Sequence, residues 1–472
     1  MVDSAMPHKA APYIYHSETR SLCEECLMPV PTKVLIEGDN VFYQKRCLTH
    51  GVQKTLVATD VDYWRATKLW IKPGDRPNQL MSRTEYGCPF DCGLCPDHEQ
   101  HSCLALIEVT ERCNLTCPVC FSGSSPTQGK HRSLEEISAL LDTLVAGEGQ
   151  PDVLQISGGE PTEHPDIIAI LKMCKERPIR HLMLNTNGVR LAKDRDFVAE
   201  LKKLAPGFEV YLQFDSLQAD ALKNLRGSDL RRVRQLALEN LEAAGISTSL
   251  VVVVKKGVND GELGAIIDHA LGFSCVRGVT FQPVQDAGRN EGFDKNEHRA
   301  LLTDIRRAIY SQSSHFKAED IIPLPCNPEH IAIGYGLRNG NTVMPITSLL
   351  PQDFFVKAAP NAIAFEKYPD LMAGIFQLFS LSSAELNEPD RIGGLLCCLP
   401  AIPLPEKLGY KDIFRVTIVE FMDRYNFDVG DVKRSCIHFV VPGGKIIPFD
   451  TYNLFYRDNK VEAMRKAIAC RS

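Results

Sequence analysis

The chain has no apolar stretch approaching the roughly 18–20 residues needed to span a bilayer. Its best run, Leu250 to Val254, is the size of a strand. The opening MVDSAMPHKAAPYIYHSETR holds no apolar core of the kind a secretory signal carries. Positive charge is not in excess either. The net charge is −6, with 53 Lys and Arg against 59 Asp and Glu. That excludes a nucleic-acid or anionic-membrane protein held by bulk electrostatics. Low-complexity tracts and simple repeats are also missing. Together these absences lead to the expectation of a cytoplasmic protein without a transmembrane segment and without a nucleic-acid partner. At 44% hydrophobic and 24% charged, the 472 residues can build a large core. The length suits two to four units at roughly 100–200 residues each.

Cysteine is what the chain has in quantity. There are 17, and ten lie in the first 120 residues. A reducing compartment argues against a disulfide framework. Cysteines crowded in such a chain hold metal or carry redox chemistry.

Texture divides the sequence. Residues 1–20 read as a tail. Residues 21–60 form one cysteine-rich metal module and 61–103 a second, both too broken for an ordinary apolar core. Residues 104–312 alternate strand-like runs with amphipathic helical patterns six times. The strands are expected at 104–110, 153–157, 181–185, 209–214, 248–254 and 278–283. The first helix shows the signal: Ser133 and Glu136 make a capping box, and Leu134, Ile137, Leu140, Leu141, Leu144 and Val145 share a face. Such alternation implies a parallel sheet with right-handed crossovers. Residues 313–472 are expected to form an α+β extension, with strands at 414–421 and 437–441. The stretch 347–409 is apolar and rich in Pro and Leu.

Cys113, Cys117 and Cys120 form C-x3-C-x2-C in ERCNLTCPVCF, directly after the first expected strand. Three thiolates on one tight loop can hold three corners of an iron–sulfur cubane and leave one iron open. A zinc knot is the alternative, although zinc wants a fourth ligand and the loop offers none. SGGEP, residues Ser157, Gly158, Gly159, Glu160 and Pro161, ends the second expected strand. Glycines there let backbone approach a ligand closely, and strand C-termini carry the active sites of α/β barrels.

Cys88, Cys92, Cys95 and Cys103 give C-x3-C-x2-C-x7-C and suit a second, fully ligated cluster or a structural zinc. Cys23, Cys26, Cys47 and His50 have the spacing of a mononuclear iron or zinc ribbon, with His50 a ligand or a turn residue. Cys326 and Cys436 are metal candidates or buried thiols, as are Cys397 and Cys398. Cys174 and Cys470 read as helix residues.

The pair CNLTCPVC and SGGEP, each closing one of two consecutive strands, resembles the radical S-adenosylmethionine (SAM) superfamily over about residues 104–312. The resemblance implies a partial (β/α)6 barrel of class α/β. It also implies a 4Fe–4S cluster on Cys113, Cys117 and Cys120 with SAM on its open iron. Gly158, Gly159 and Glu160 would meet the methionine amino group. Asn185 and Asn187 of LNTNG, and Gln213 and Asp215 of LQFDS, would contact SAM or substrate. The residue before the third cysteine, often aromatic in that superfamily, is Val119; Phe121 follows it instead. Reductive cleavage of SAM to a 5′-deoxyadenosyl radical needs an electron donor such as reduced flavodoxin or ferredoxin.

Most of the chain resembles a narrower group. CEEC…RCLTHG, GCPFDCGLCPDH, CNLTCPVCF, FMDRYNFDVGDVKRSCIHF and IPFDTYN occur in the order seen in archaeal tetraether lipid synthase and its bacterial homologues, grouped with class D radical SAM methyltransferases. That group carries several iron–sulfur clusters and a rubredoxin-like iron. Its pattern has a cysteine in the segment where this chain has Asp450 and Thr451. The likeness implies modification of an unactivated carbon, first that of a lipid alkyl chain, with 347–409 walling a tunnel and a possible peripheral contact with membrane. The second reading is methylation of a pterin-like small molecule with a folate-type one-carbon donor. The third is an unrelated substrate. An iron–sulfur electron carrier or a zinc-ribbon binding module is the reading from another class. A lipid enzyme requires a long apolar tunnel; a pterin enzyme requires a compact polar pocket near Asn187 and Asp215.

Overall fold

A computed structural model describes residues 11–127, 129–358 and 410–469. Cys397, Cys398 and Cys470, and most of the apolar stretch 347–409, lie outside the described residues.

The N-terminal unit is a four-stranded antiparallel meander, Ile14–Leu22, Pro29–Glu37, Asn40–Cys47 and Gly51–Ala58. Its first strand begins inside the segment expected to be a tail. The ladder explains why: Glu18 with Lys33 and Thr19 with Thr32 pair across the first two strands, so the polar-looking residues have ladder partners. The meander docks on the C-terminal part of the chain. Lys45 donates to the Arg424 carbonyl at 2.6 Å, and the Tyr43 hydroxyl donates to Asp428 at 3.3 Å.

The six expected barrel strands all form: Leu104–Thr110, Val153–Gly158, His181–Thr186, Phe208–Gln213, Thr248–Val254 and Val276–Pro283. They pair in parallel and in sequence order. They are buried nearly throughout, as parallel strands between helices and a barrel interior must be. Helix Leu134–Glu148 starts on the expected capping box: Ser133 Oγ accepts from the Glu136 amide and Glu136 accepts from the Ser133 amide. Helices Ile167–Lys175, Arg195–Lys202, Arg231–Ala244 and Leu263–Leu271 fall on the expected patterns. The last of the six helical patterns, which the sequence places around 294–312, is broken into Lys295–His298 and Leu302–Gln312. Helix Ala219–Arg226 was not expected.

The C-terminal segment does not form a sheet of its own. Ile413–Val419 adds in parallel beside Val276–Pro283, and Ile437–Val441 adds in parallel beside Leu104–Thr110. The parallel run is therefore eight strands. Antiparallel partners, Ile331–Asn339 on one side and Lys445–Pro448 on the other, cover the new edges. Just past those strands, Phe421 stacks on Phe449 with ring centroids 3.7 Å apart, and Phe449 also meets Phe439 and Phe121. The two ends of the sheet thus meet in an aromatic cluster that narrows the open side of the barrel.

Candidate active site

The cysteine loop and SGGEP meet at the C-terminal ends of the first two barrel strands. Gly159 donates to the Thr110 carbonyl and Glu160 to the Arg112 carbonyl, both at 2.8 Å. Any Cβ on Gly158 or Gly159 would collide with those same carbonyls, and Gly158 sits at φ +140°. The two glycines are therefore required by the close approach of one strand end to the next. Arg289, beyond the last barrel strand, locks the loop from the other side. Its guanidinium donates to the carbonyls of Cys117, Gly123 and Ser124. No spacing signal marks this arginine in the sequence.

Cys113, Cys117 and Cys120 line one cavity with Gly158, Gly159, Glu160, Asn185, Asn187 and Gln213. It encloses about 940 Å³ with its open mouth, enough for a nucleoside-sized ligand. Burial pushes the Cys113 thiol up to about 12 and raises Cys117. Free thiolates are thus disfavoured, and a cation in the loop would deprotonate them. Among the described residues lining this cavity, no fourth cysteine or histidine completes a closed set. Three thiols, a wide chamber and a glycine cradle fit a cluster with an open iron and a ligand above it.

Three expected contacts take other parts. Glu160 is 1% exposed. Its carboxylate is consumed by the Thr162 and Thr186 hydroxyls and the Thr162 and Asn187 amides, although burial raises its pKa. It acts as a node that fixes the strand ends; only its position remains available to the cavity. Ser157 is buried behind Asn185, from which it accepts a hydrogen bond at 3.3 Å. Asp215 is fully buried, at φ +67°, and lines neither cavity. Both its oxygens accept from Arg226 at 2.6 Å. A carboxylate held bidentately by an arginine has no free face for a ligand.

Arg226 is the residue the sequence reading missed. It lines the cavity, and its positive charge draws the Cys117 thiol down against its burial. Burial opposes its charge, but Asp215 keeps it firmly protonated. It also starts a chain along the cavity wall: Arg226 donates to Gln213 at 2.9 Å, Gln213 to Asn185 at 2.8 Å, and Asn185 to Ser157. Asn187 is fixed separately by the Asn114 side chain at 2.7 Å.

A second cavity of about 830 Å³ lies inside the barrel. Six residues, Phe121, Asn185, Gln213, Gln282, Phe421 and Phe449, line both cavities. The inner chamber mixes apolar walls, such as Leu106, Met183 and Val419, with Gln155, Gln282, Tyr211, His181 and Arg415. At its floor Glu209, fully buried, accepts from Arg415 at 2.9 Å and pairs with His181 at 3.1 Å.

The upstream cysteines separate into three groups. Cys23, Cys26, Cys47 and His50 bring their ligand atoms within 4.8 Å of one another, at the ends of the meander strands. His50 Nδ1 lies 3.4 Å from the Cys23 sulfur, and its Nε2 lies 3.7 Å from Glu25, the usual second partner of a ligating histidine. His50 thus stands beside the three sulfurs, in position to share an ion with them. Cys88, Cys92 and Cys95 surround a small void with Asp97 and Lys433. Cys103 is not with them. It faces Cys326 and Cys436, with all three sulfurs within 4.8 Å. Cys103 directly precedes the first barrel strand, whose start pairs with the strand following Cys436. That pairing pulls it away from the other three.

Comparison with known proteins agrees with this geometry. Residues 107–270 match the radical SAM superfamily, and residues 15–59 match the N-terminal zinc ribbon domain of HMPTM proteins. The 7,8-dihydro-6-hydroxymethylpterin dimethyltransferase of Methanocaldococcus jannaschii is 30% identical, over 94% of this chain and 95% of that protein. The GTP 3′,8-cyclase of Chlorobaculum tepidum is 29% identical over 48% of this chain and 69% of that one. Streptococcus suis SuiB bound to S-adenosylmethionine superposes with a TM-score of 0.37 at 21% identity, covering 44% of this chain and 46% of that one. The chain belongs to the radical SAM superfamily, in one family with the Methanocaldococcus jannaschii enzyme.

Proposed function

We propose that this radical SAM enzyme methylates a pterin-like bicyclic heterocycle held in the inner chamber. The observation that carries the reading is the chamber's lining. Carboxamides of Gln155, Asn185, Gln213 and Gln282 converge there with Arg415 between apolar walls. A flat heterocycle has apolar faces and a hydrogen-bonding rim, and suits both. An alkyl chain would desolvate those groups without offering any of their remaining donors and acceptors a partner, at about 1–3 kcal/mol for each one left unmade. The family relative that spans the chain is named for a pterin substrate, which favours the same reading. The lipid reading leaned on 347–409, most of which lies outside the described residues, and finds no support among the relatives.

When bound, a 4Fe–4S cluster with SAM supplies a 5′-deoxyadenosyl radical once an electron arrives, here assigned to a reduced flavodoxin or ferredoxin. Cys113, Cys117 and Cys120 would hold the cluster. Gly158 and Gly159 keep the strand ends close enough to seat the methionine end of SAM. Phe421 and Phe449 limit water entry above the shared wall. Asn185 and Gln213, oriented by Arg226 and facing both cavities, position the heterocycle edge towards the cofactor side. The methyl carbon comes from a folate-type donor.

Anoxic, reconstituted enzyme with SAM, dithionite, methylenetetrahydrofolate and 7,8-dihydro-6-hydroxymethylpterin tests this. Mass spectrometry should show the pterin heavier by one or two methyl groups, with 5′-deoxyadenosine formed alongside. Gln155→Leu and Gln282→Leu should raise KM for the pterin. An unchanged pterin in the presence of steady 5′-deoxyadenosine release would contradict the substrate assignment.

A further inference from the structure

We infer that Cys103, Cys326 and Cys436 bind a single thiophilic metal ion, zinc or iron, in a second mononuclear site at the seam where the two edges of the sheet meet. The three sulfurs come from segments more than 100 residues apart in sequence, yet all lie within 4.8 Å. They are 0%, 3% and 0% exposed. The Cys326 and Cys436 sulfurs are 3.7 Å apart. An ion bonded to sulfur at about 2.3 Å in a tetrahedron sets its ligands about 3.8 Å apart. Thiolates on different irons of a cubane must stand much wider, because a metal–metal edge lies between them. The same spacing holds at the ribbon, where Cys26 and Cys47 are 4.0 Å apart. Among the described residues these two are the groups of ion-sized spacing.

A fourth ligand can come from beside Cys103, just outside the group of three sulfurs. His101 turns Nε2 to 3.5 Å from the Cys103 sulfur. Its Nδ1 lies 3.0 Å from Glu148, whose other oxygen accepts from the Ser102 amide at 3.0 Å. A carboxylate behind the far nitrogen is the arrangement that fixes a ligating imidazole. Gln100 ties the two sides together, donating to the Cys326 carbonyl and accepting from the His101 amide. Three thiolates on a divalent ion leave one negative charge. The positive charge of the half-buried Lys72 acts against it.

The position indicates the role. Cys103 and Cys436 precede neighbouring parallel strands, and the Leu104 amide donates to the Cys436 carbonyl at 3.2 Å. Cys326 sits in the turn before strand Ile331–Asn339, which runs along the other sheet edge. One ion here staples the two edges of the sheet together along the same seam that Phe421 and Phe449 close. The ion is structural and takes no substrate.

Cobalt substitution and metal counting on the full-length, anoxically prepared protein test the assignment. Wild type should take up two Co(II) per chain with tetrahedral thiolate spectra. Cys436→Ser should retain one, at the ribbon, with the iron and sulfide of the SAM-binding cluster unchanged. Glu148→Gln should lose one of the two ions to a chelator about 10–100-fold more readily than wild type. This variant and the wild-type count decide the matter even where Cys436→Ser does not fold. One Co(II) per wild-type chain would overturn the site. So would joint loss of iron and acid-labile sulfide in Cys436→Ser, which marks a cluster, or a Cys326–Cys436 disulfide in the native mass. Unchanged ion retention in Glu148→Gln would remove His101 from the ligand set.

Discussion

At the scale of residues, Arg226 joins the two halves of the site. It is clamped by Asp215, sets its charge against Cys117, and orients Gln213 and through it Asn185. A hydrogen bond from a charged donor contributes about 1.5–3 kcal/mol. Arg226→Gln should therefore slow SAM cleavage tenfold or more while iron and sulfide content stay at wild-type levels. Loss of the cluster in that variant, or wild-type cleavage, would show that the arginine does not act on the bound cofactor. Asp215 was legible as important but not in its role. A polar residue ending a barrel strand reads as a ligand contact until the positive φ and the arginine opposite are visible. Arg226 itself lay hidden because its short helix, Ala219–Arg226, falls between two stronger patterns.

At the scale of elements, the repeated strand–helix pattern placed all six barrel strands, because each is buried on both faces and reads as a continuous apolar run. What spacing could not give was which distant segments meet. Cys103 follows Cys95 closely in sequence, yet strand pairing carries it to Cys436. The two C-terminal strands were recognisable, but their addition to opposite edges of the barrel depends on long-range pairing.

Short helix Val429–Val432 is pinned to the 326–330 turn by a buried ion pair, His330 Nε2 to Asp431 at 3.3 Å. Burial alone would lower the His330 pKa, but Asp431 and neighbouring carboxylates raise it to about 9. A free histidine titrates near 6.5. The pair's stabilisation is therefore complete below about pH 6.5 and is lost as pH rises through about 9, up to roughly 3 kcal/mol. The melting temperature of wild type should fall across this window, and His330→Gln should flatten the fall. An equally steep decline in that variant would assign the pH dependence elsewhere.

At the scale of the whole molecule, the chain places different sulfur chemistries at different stations on one scaffold. The three-cysteine loop opens onto a chamber at the C-terminal ends of the strands. The tight groups lie in the meander and at the seam between the two sheet edges. The chamber continues inward to an amide-lined pocket and shares one wall with it, as the proposed pterin chemistry requires. Among the described residues no helix is long and apolar enough to cross a membrane. The most direct check on the account is 5′-deoxyadenosine formation by anoxic, dithionite-reduced protein, measured beside Cys113→Ala. The account expects SAM cleavage in wild type and none in the variant, with the other metals retained. Cleavage that survives Cys113→Ala, or wild type that binds only zinc at this loop and yields no paramagnetic centre on reduction, would contradict it.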